Sequence, residues 1–148
     1  MKKSEAIGPK TRIILDTNVV VSALIQSHSI PFLVLDSILD TPKLELCISE
    51  ALFREYKEVI NRDKFKKFPR WEQSSKLILS LIEQLSVLYY PKVKIDLMED
   101  TDDNRLLELA QVSQAHFLVT GNHKDFNFSS FERTQIMSPK EFFETVLS

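Results

Sequence analysis

Two glycines, Gly8 and Gly121, are all that 148 residues contain. A phosphate-cradling loop or a dinucleotide fingerprint needs several glycines at fixed spacing, so both are excluded. One cysteine, Cys47, rules out an internal disulfide. With only His28, His116 and His123 beside it, no zinc-ligand spacing can be assembled. Cys47 lies in the apolar "KLELCISE", where a small buried hydrophobe is expected. An excess of charge is missing too, since 19 basic residues face 21 acidic ones. Bulk electrostatics therefore makes no case for a nucleic acid or a membrane surface, and any such partner needs a local patch. There is no long apolar run either: "LILSLIEQLSVLYY" is broken by serine and glutamate, which argues against a membrane span. The opening "MKK" precedes no apolar region with a cleavage site, so no signal peptide is expected and a cytoplasmic protein is.

A composition of 43% hydrophobic and 27% charged residues suits a globular chain, and the length suits one domain with a real core. "MKKSEAIGPK" reads as a flexible segment ahead of a single domain over 11–148. "RIIL", "LELCIS", "KVKIDL", "AHFLVT" and "RTQIMS" read as strands. Between them fall helical stretches: Val19 to Ile25, "FLVLDSIL" after Pro31, and "EALFREYKEVI" behind a Ser49 cap. A long amphipathic helix follows over 72–89, stopped by Tyr90-Pro91; then come "RLLELAQVS" and a last helix with Pro139 in its first turn. Strands alternating with helices indicate an α/β sandwich with a mostly parallel sheet.

The acidic residues carry the chemistry. Asp16 interrupts "RIILDTNVVVSALI", where a lone buried charge is costly unless something neutralises it. In parallel sheets, sites form beyond the C-terminal ends of strands, where helix N-termini also gather. Asp16 after the first strand, Glu55 early in the helix after the second, Asp102 and Asp103 at a helix start, and Asn122 and Asp125 after "FLVTG" could all converge on that edge. At about 100° per residue, Glu55 borders the Leu52–Val59 stripe, while Glu50 and Glu58 project further toward solvent. A purely structural Glu55 would instead pair with Arg54 or a lysine. Asp102 is in line with Leu106 and Leu109, Asp103 with Leu107 and Ala110, so spacing does not choose between them, and one of the pair is expected only to cap the helix. Carboxylates gathered at one edge repel and raise one another's pKa, and a hard divalent cation such as Mg²⁺ or Mn²⁺ is the natural neutraliser. Such an ion suits metal-assisted hydrolysis of phosphodiesters.

The successive blocks "ILDTNVVVSALI", "ISEALFREYKEVI", "TDDNRLLELAQVSQAHFLVTGNHKDF" and "IMSPKEFFETVL" resemble those of a PIN domain, from about residue 11 to the end. More particularly, they resemble PIN domains that serve as toxins of toxin–antitoxin pairs. The resemblance implies a three-layer α/β/α sandwich with a central, mostly parallel sheet, and a Mg²⁺- or Mn²⁺-dependent ribonuclease. It assigns Asp16, Glu55, Asp103 and Asp125 to the metal and the catalysis, with Asp102 as neighbour or cap. Asn18 and Thr120 match small polar residues lining the site. Asn122 departs from the pattern: many members carry an aspartate there, and an amide brings a carbonyl ligand without the charge, which weakens the case for a second tightly bound metal. A homodimer and a small antitoxin blocking the site are further implications.

Residues 61–71 hold Arg62, Lys64, Lys66, Lys67 and Arg70 among Phe65, Phe68 and Trp71, which suits either a track for single-stranded RNA or a solvated loop with its aromatics in the core. The first reading is thus an endoribonuclease with no covalent intermediate, and the second an RNA-binding or interaction module that kept the fold without the catalysis. An aspartyl-nucleophile phosphatase would need a second aspartate where Asn18 stands.

Overall fold

A computed structural model describes residues 8–148. The flexible character expected of the first ten residues falls mostly outside the described residues; within them, the first strand begins at Thr11. Six strands form one sheet: β1 (Thr11–Leu15), β2 (Leu44–Ile48), β3 (Val87–Leu88), β4 (Phe117–Val119), β5 (Ser130–Phe131) and β6 (Thr134–Met137). They lie in the order β3-β2-β1-β4-β6-β5, all parallel except the β5–β6 pair at one edge. Helices α1 (Thr17–Ile25), α2 (Ile30–Asp40), α3 (Glu50–Ile60), α4 (Trp71–Leu85), α5 (Thr101–Ser113) and α6 (Pro139–Phe142) complete the three-layer sandwich.

The chain steps outward from β1 to β2 to β3, then returns across the sheet to β4. Right-handed crossovers accordingly put the helices of the outward steps on one face and α5 on the other. Both neighbours of β1 are parallel to it, with Ile13 opposite Leu46 on one side and Phe117 on the other. A strand covered on both faces must be apolar throughout its centre, and Ile13, Ile14 and Leu15 are fully buried. The direction of travel reverses between β1 and β4, which opens a crevice at their C-terminal ends. Asp16 and Thr120 stand there, and the ladder runs on through Asp16 N–H to the Val119 carbonyl at 2.9 Å.

Capping side chains set the helix starts facing that edge. Asp16 Oδ1 accepts from Thr17 N–H at 2.7 Å to open α1, and Ser49 Oγ accepts from Leu52 N–H at 3.1 Å to open α3. Beneath them Tyr56 is fully buried, its hydroxyl donating to the Leu15 carbonyl at 2.5 Å, so α3 is pinned directly to β1.

Two expectations about the middle of the chain need correction. The long helix stops at Leu85, capped by Ser86, and the next residues form β3, pairing Cys47 with Val87 and Ile48 with Leu88. "KVKIDL" is not a strand. Side chains of α5 take up its backbone donors instead: Ile95 N–H donates to Glu108 Oε2 at 3.0 Å, and Leu97 and Met98 N–H donate to Asn104 Oδ1 at 3.1 and 2.8 Å. Alternation of side chains was present, but no strand partner was needed. No single helix among the described residues is long and apolar enough to cross a membrane.

Candidate functional site

Asp16 is 9% exposed and nearly encircled by donors. Beyond Thr17 N–H, its Oδ2 accepts from the Thr120 hydroxyl at 2.7 Å and from Asn18 Nδ2 at 3.3 Å. Burial raises its pKa all the same; the Thr120 and Thr17 hydrogen bonds oppose that rise, and the charges of Asp100 and Asp102 add to it. Asn18 ties the two strand ends together, because its Oδ1 also accepts from Gly121 N–H at 2.9 Å. A Cβ at Gly121 would meet that oxygen at 3.2 Å, which is the local reason for one of the two glycines.

Glu55 reaches the same edge from α3, half-buried, and accepts from the Thr17 hydroxyl. The Asp102 carboxyl stands beside it. The Glu55 pKa is accordingly pushed up to about 7, by burial first, then by the Asp102 contact and the Asp16 charge, with the Thr17 bond acting against them. Neither Arg54 nor a lysine neutralises it among the described residues.

Asp102 and Asp103, which spacing left equivalent, point to different neighbours. Asp102 faces Glu55, whereas Asp103 lines a cleft of about 410 Å³ with Asp100, Asp125 and Asn127. The Asp103 pKa rises to about 6, through burial first and then through the charges of Asp100, Asp16, Asp125 and Asp102. The expected cap is neither of the pair. Asp100 caps α5, its Oδ1 accepting from Asp102 N–H at 2.8 Å. It is the acid that sequence reasoning passed over, although its position three before Asp103 was a usable signal.

Asp16, Glu55 and Asp103 thus lie within electrostatic reach of one another or of shared neighbours, with Asp100 and Asp102 between them and Asp125 beside Asp103 in the cleft. Among the described residues none of the six forms an ion pair with a base. Nor do three acids close into a tight cation cage among those residues, so the cluster is an open-walled cleft.

The residues expected to face substrate divide. Asn122 is exposed at the turn after β4, with its N–H donating to Thr120 Oγ1 at 3.1 Å. Thr120 is fully buried and holds Asp16 from below, whereas Asn18, partly exposed, bonds both Asp16 and Gly121. In the basic loop, Phe65 and Trp71 are buried and stacked at 5.0 Å, and Trp71 Nε1 donates to the Ile60 carbonyl at 2.9 Å. Those two rings are core, which removes them from any stacking track. Lys64, Lys66 and Lys67 are exposed, with Lys66 paired to Asp63 at 3.0 Å.

Acids distant in sequence, assembled at the switch point of a parallel sheet, define a class of α/β proteins with a carboxylate-lined edge. The PIN domain family model matches residues 12–124, and the chain belongs to that family, whose members are in general nucleases. It is also similar to an uncharacterized protein of Methanocaldococcus jannaschii, MJ1680, with 28% identity over 152 residues, spanning 97% of this chain and 96% of that protein.

Proposed function

We propose that this chain is a Mg²⁺- or Mn²⁺-dependent endoribonuclease in which Asp16, Glu55, Asp103 and Asp125 hold the ion, with Asp100 beside them. The observation that carries the reading is that, among the described residues, none of the six acids at this edge forms an ion pair with a base. An oxygen-only donor set, in which burial and repulsion raise the pKa values of Asp16, Glu55 and Asp103, suits a hard divalent cation. An open cleft suits Mg²⁺ as well, since the ion keeps several waters through which some of the four acids can hold it without direct ligation. Such an ion, when bound, polarises a phosphoryl oxygen and lowers the pKa of a water.

The chain's own contribution is positioning. Thr120, Thr17 and Asn18 fix both oxygens of Asp16, so this acid is held in one orientation before substrate arrives. Thr17 also fixes Glu55, and a single residue thereby couples the acids of β1 and α3. The acids align a water for attack on phosphorus, and no protein nucleophile is needed.

A ribonuclease assay with Mn²⁺, with EDTA and with Asp16→Asn tests this. Cleavage that depends on the metal and on Asp16 is expected; cleavage that survives both chelation and the substitution belongs to something else. A second reading, an RNA-binding or interaction module without catalysis, draws on Asn122, which removes one negative charge from the edge. Protein that binds RNA and never cuts it with Mn²⁺ supplied would favour that reading.

The biological role we propose is that of a cytoplasmic toxin whose small antitoxin partner blocks the acid cleft, the chain itself forming a homodimer. Growth arrest on expression, relieved by Asp16→Asn, is the expected result; unimpaired growth with an active enzyme would remove the toxin role alone.

A further inference from the structure

A groove of about 250 Å³ runs between α3 and α5, directly outside the Glu55–Asp102 pair. Arg54, Arg62 and Arg105 line it with these two acids and Glu58. Helical spacing gathers them, because Glu55, Glu58 and Arg62 follow one another along α3 and past its end, and Asp102 and Arg105 are one turn apart on α5. Arg105 is tethered, its Nη1 donating to Glu108 Oε2 at 2.8 Å. Arg54 and Arg62 are exposed, and among the described residues neither forms an ion pair. Two guanidinium groups without carboxylate partners thus rim a channel whose inner end is the acid edge.

We propose that this groove holds the phosphodiester backbone of single-stranded RNA, with Arg54 and Arg62 gripping phosphates and Arg105 standing at the inner end beside Asp102. The planar guanidinium fork binds phosphate oxygens in pairs and is weakly hydrated, which suits it to this task better than lysine. At about 250 Å³ the groove is smaller than pockets that enclose drug-sized ligands, which suits a strand backbone passing along it better than an enclosed small molecule. It also relocates the RNA track from the lysine-rich loop. Lys66 lines a separate cavity with Trp71 and Lys76, while Lys64 and Lys67 lie over the Phe65 and Phe68 rings at 5.1 and 5.5 Å. What happens to the RNA at the inner end rests on the nuclease reading; the binding itself does not.

The test is fluorescence anisotropy of a labelled single-stranded RNA with the full-length protein in EDTA, across a salt series, with thermal melts as a check on folding. The Arg54→Ala/Arg62→Ala variant is expected to bind at least about tenfold more weakly, and its slope of log affinity against log salt to shrink by about 1.4. Lys64→Ala/Lys66→Ala/Lys67→Ala is expected to keep both near the wild type. A double arginine variant with unchanged affinity and slope overturns the groove, as does a lysine variant that carries the whole loss. Wild-type protein that binds RNA through these arginines but does not cut it with Mn²⁺ leaves the groove standing and removes the nuclease reading. Wild-type protein that binds no RNA in EDTA overturns the groove and leaves the nuclease reading to the Mn²⁺ cleavage assay.

Discussion

Strand β1 has a charged residue near each end, and the two are treated in opposite ways. At its start, Arg12 is spent on structure: Nε donates to the Ser113 carbonyl at 2.9 Å and Nη2 to the Gln114 carbonyl at 3.0 Å. Those carbonyls close α5, so the guanidinium both satisfies orphan acceptors and faces the negative end of the helix. Just past the other end, Asp16 is also well bonded, yet what surrounds it beyond its donors is more negative charge, at the start of the same helix α5. The dipole there favours acids, but six of them exceed what one helix terminus can offset. A charge whose partners lie within the fold serves the fold. A surplus that the fold leaves unneutralised points to a ligand from outside.

That contrast can be broken experimentally. Asp16→Asn keeps a helix-capping side chain and should lower metal-dependent cleavage by at least about 100-fold, more than losing an outer neighbour of a metal usually does. Its melting temperature should change little. A stability loss as large as the activity loss would make Asp16 another Arg12. Arg12→Ala should do the reverse, lowering unfolding free energy by about 1–3 kcal/mol through two abandoned carbonyls while cleavage per folded molecule stays unchanged. Denaturant titration alongside the assay checks both.

Glu55 supplies a third test, because its pKa of about 7 in the fold lies above its ordinary 4.5. The unfolded chain then gives up this proton first, so the contribution of Glu55 to the stability of metal-free protein is full below about pH 4.5 and is lost as pH rises through about 7. Asp103, raised from 3.8 to about 6, adds a decline of the same sign at lower pH. Thermal melts in EDTA should show the decline, Glu55→Gln should flatten it, and a divalent cation should restore stability at the upper end. A pH-independent melting temperature would remove the repulsion that the metal is asked to relieve. The smallest effect belongs to the triple lysine variant of the 61–71 loop, whose folding stability should stay within about 0.5 kcal/mol of the wild type.

Much of the edge is legible in the sequence, since it follows from local pattern. Apolar runs closed by Asp16 and Thr120, the Ser49 cap and the Leu52–Tyr56–Ile60 stripe depend on neighbours in the chain, and these are what period and capping report. The misreadings came where distant groups decided. Segment 92–97 alternates like a strand, but Glu108 and Asn104 took its backbone donors. Whether Phe65 and Trp71 face RNA or the core is left open by the sequence, and the Ile60 carbonyl and their mutual stacking decide for the core.

From residue order alone came the α/β class, the place of Asp16 at a strand end and that of Glu55 beside its apolar stripe, because each is expressed in spacing along one element; Asp103 and Asp125 were singled out only by the resemblance of their sequence block to the family's. Which of Asp102 and Asp103 meets Glu55, that Asp100 joins the cluster, that Thr120 supports and does not contact, and that arginines of α3 and α5 share a groove were settled by packing. Those facts concern the distance between side chains on different elements, and crossing of helices over a sheet sets that distance without leaving a period in the sequence.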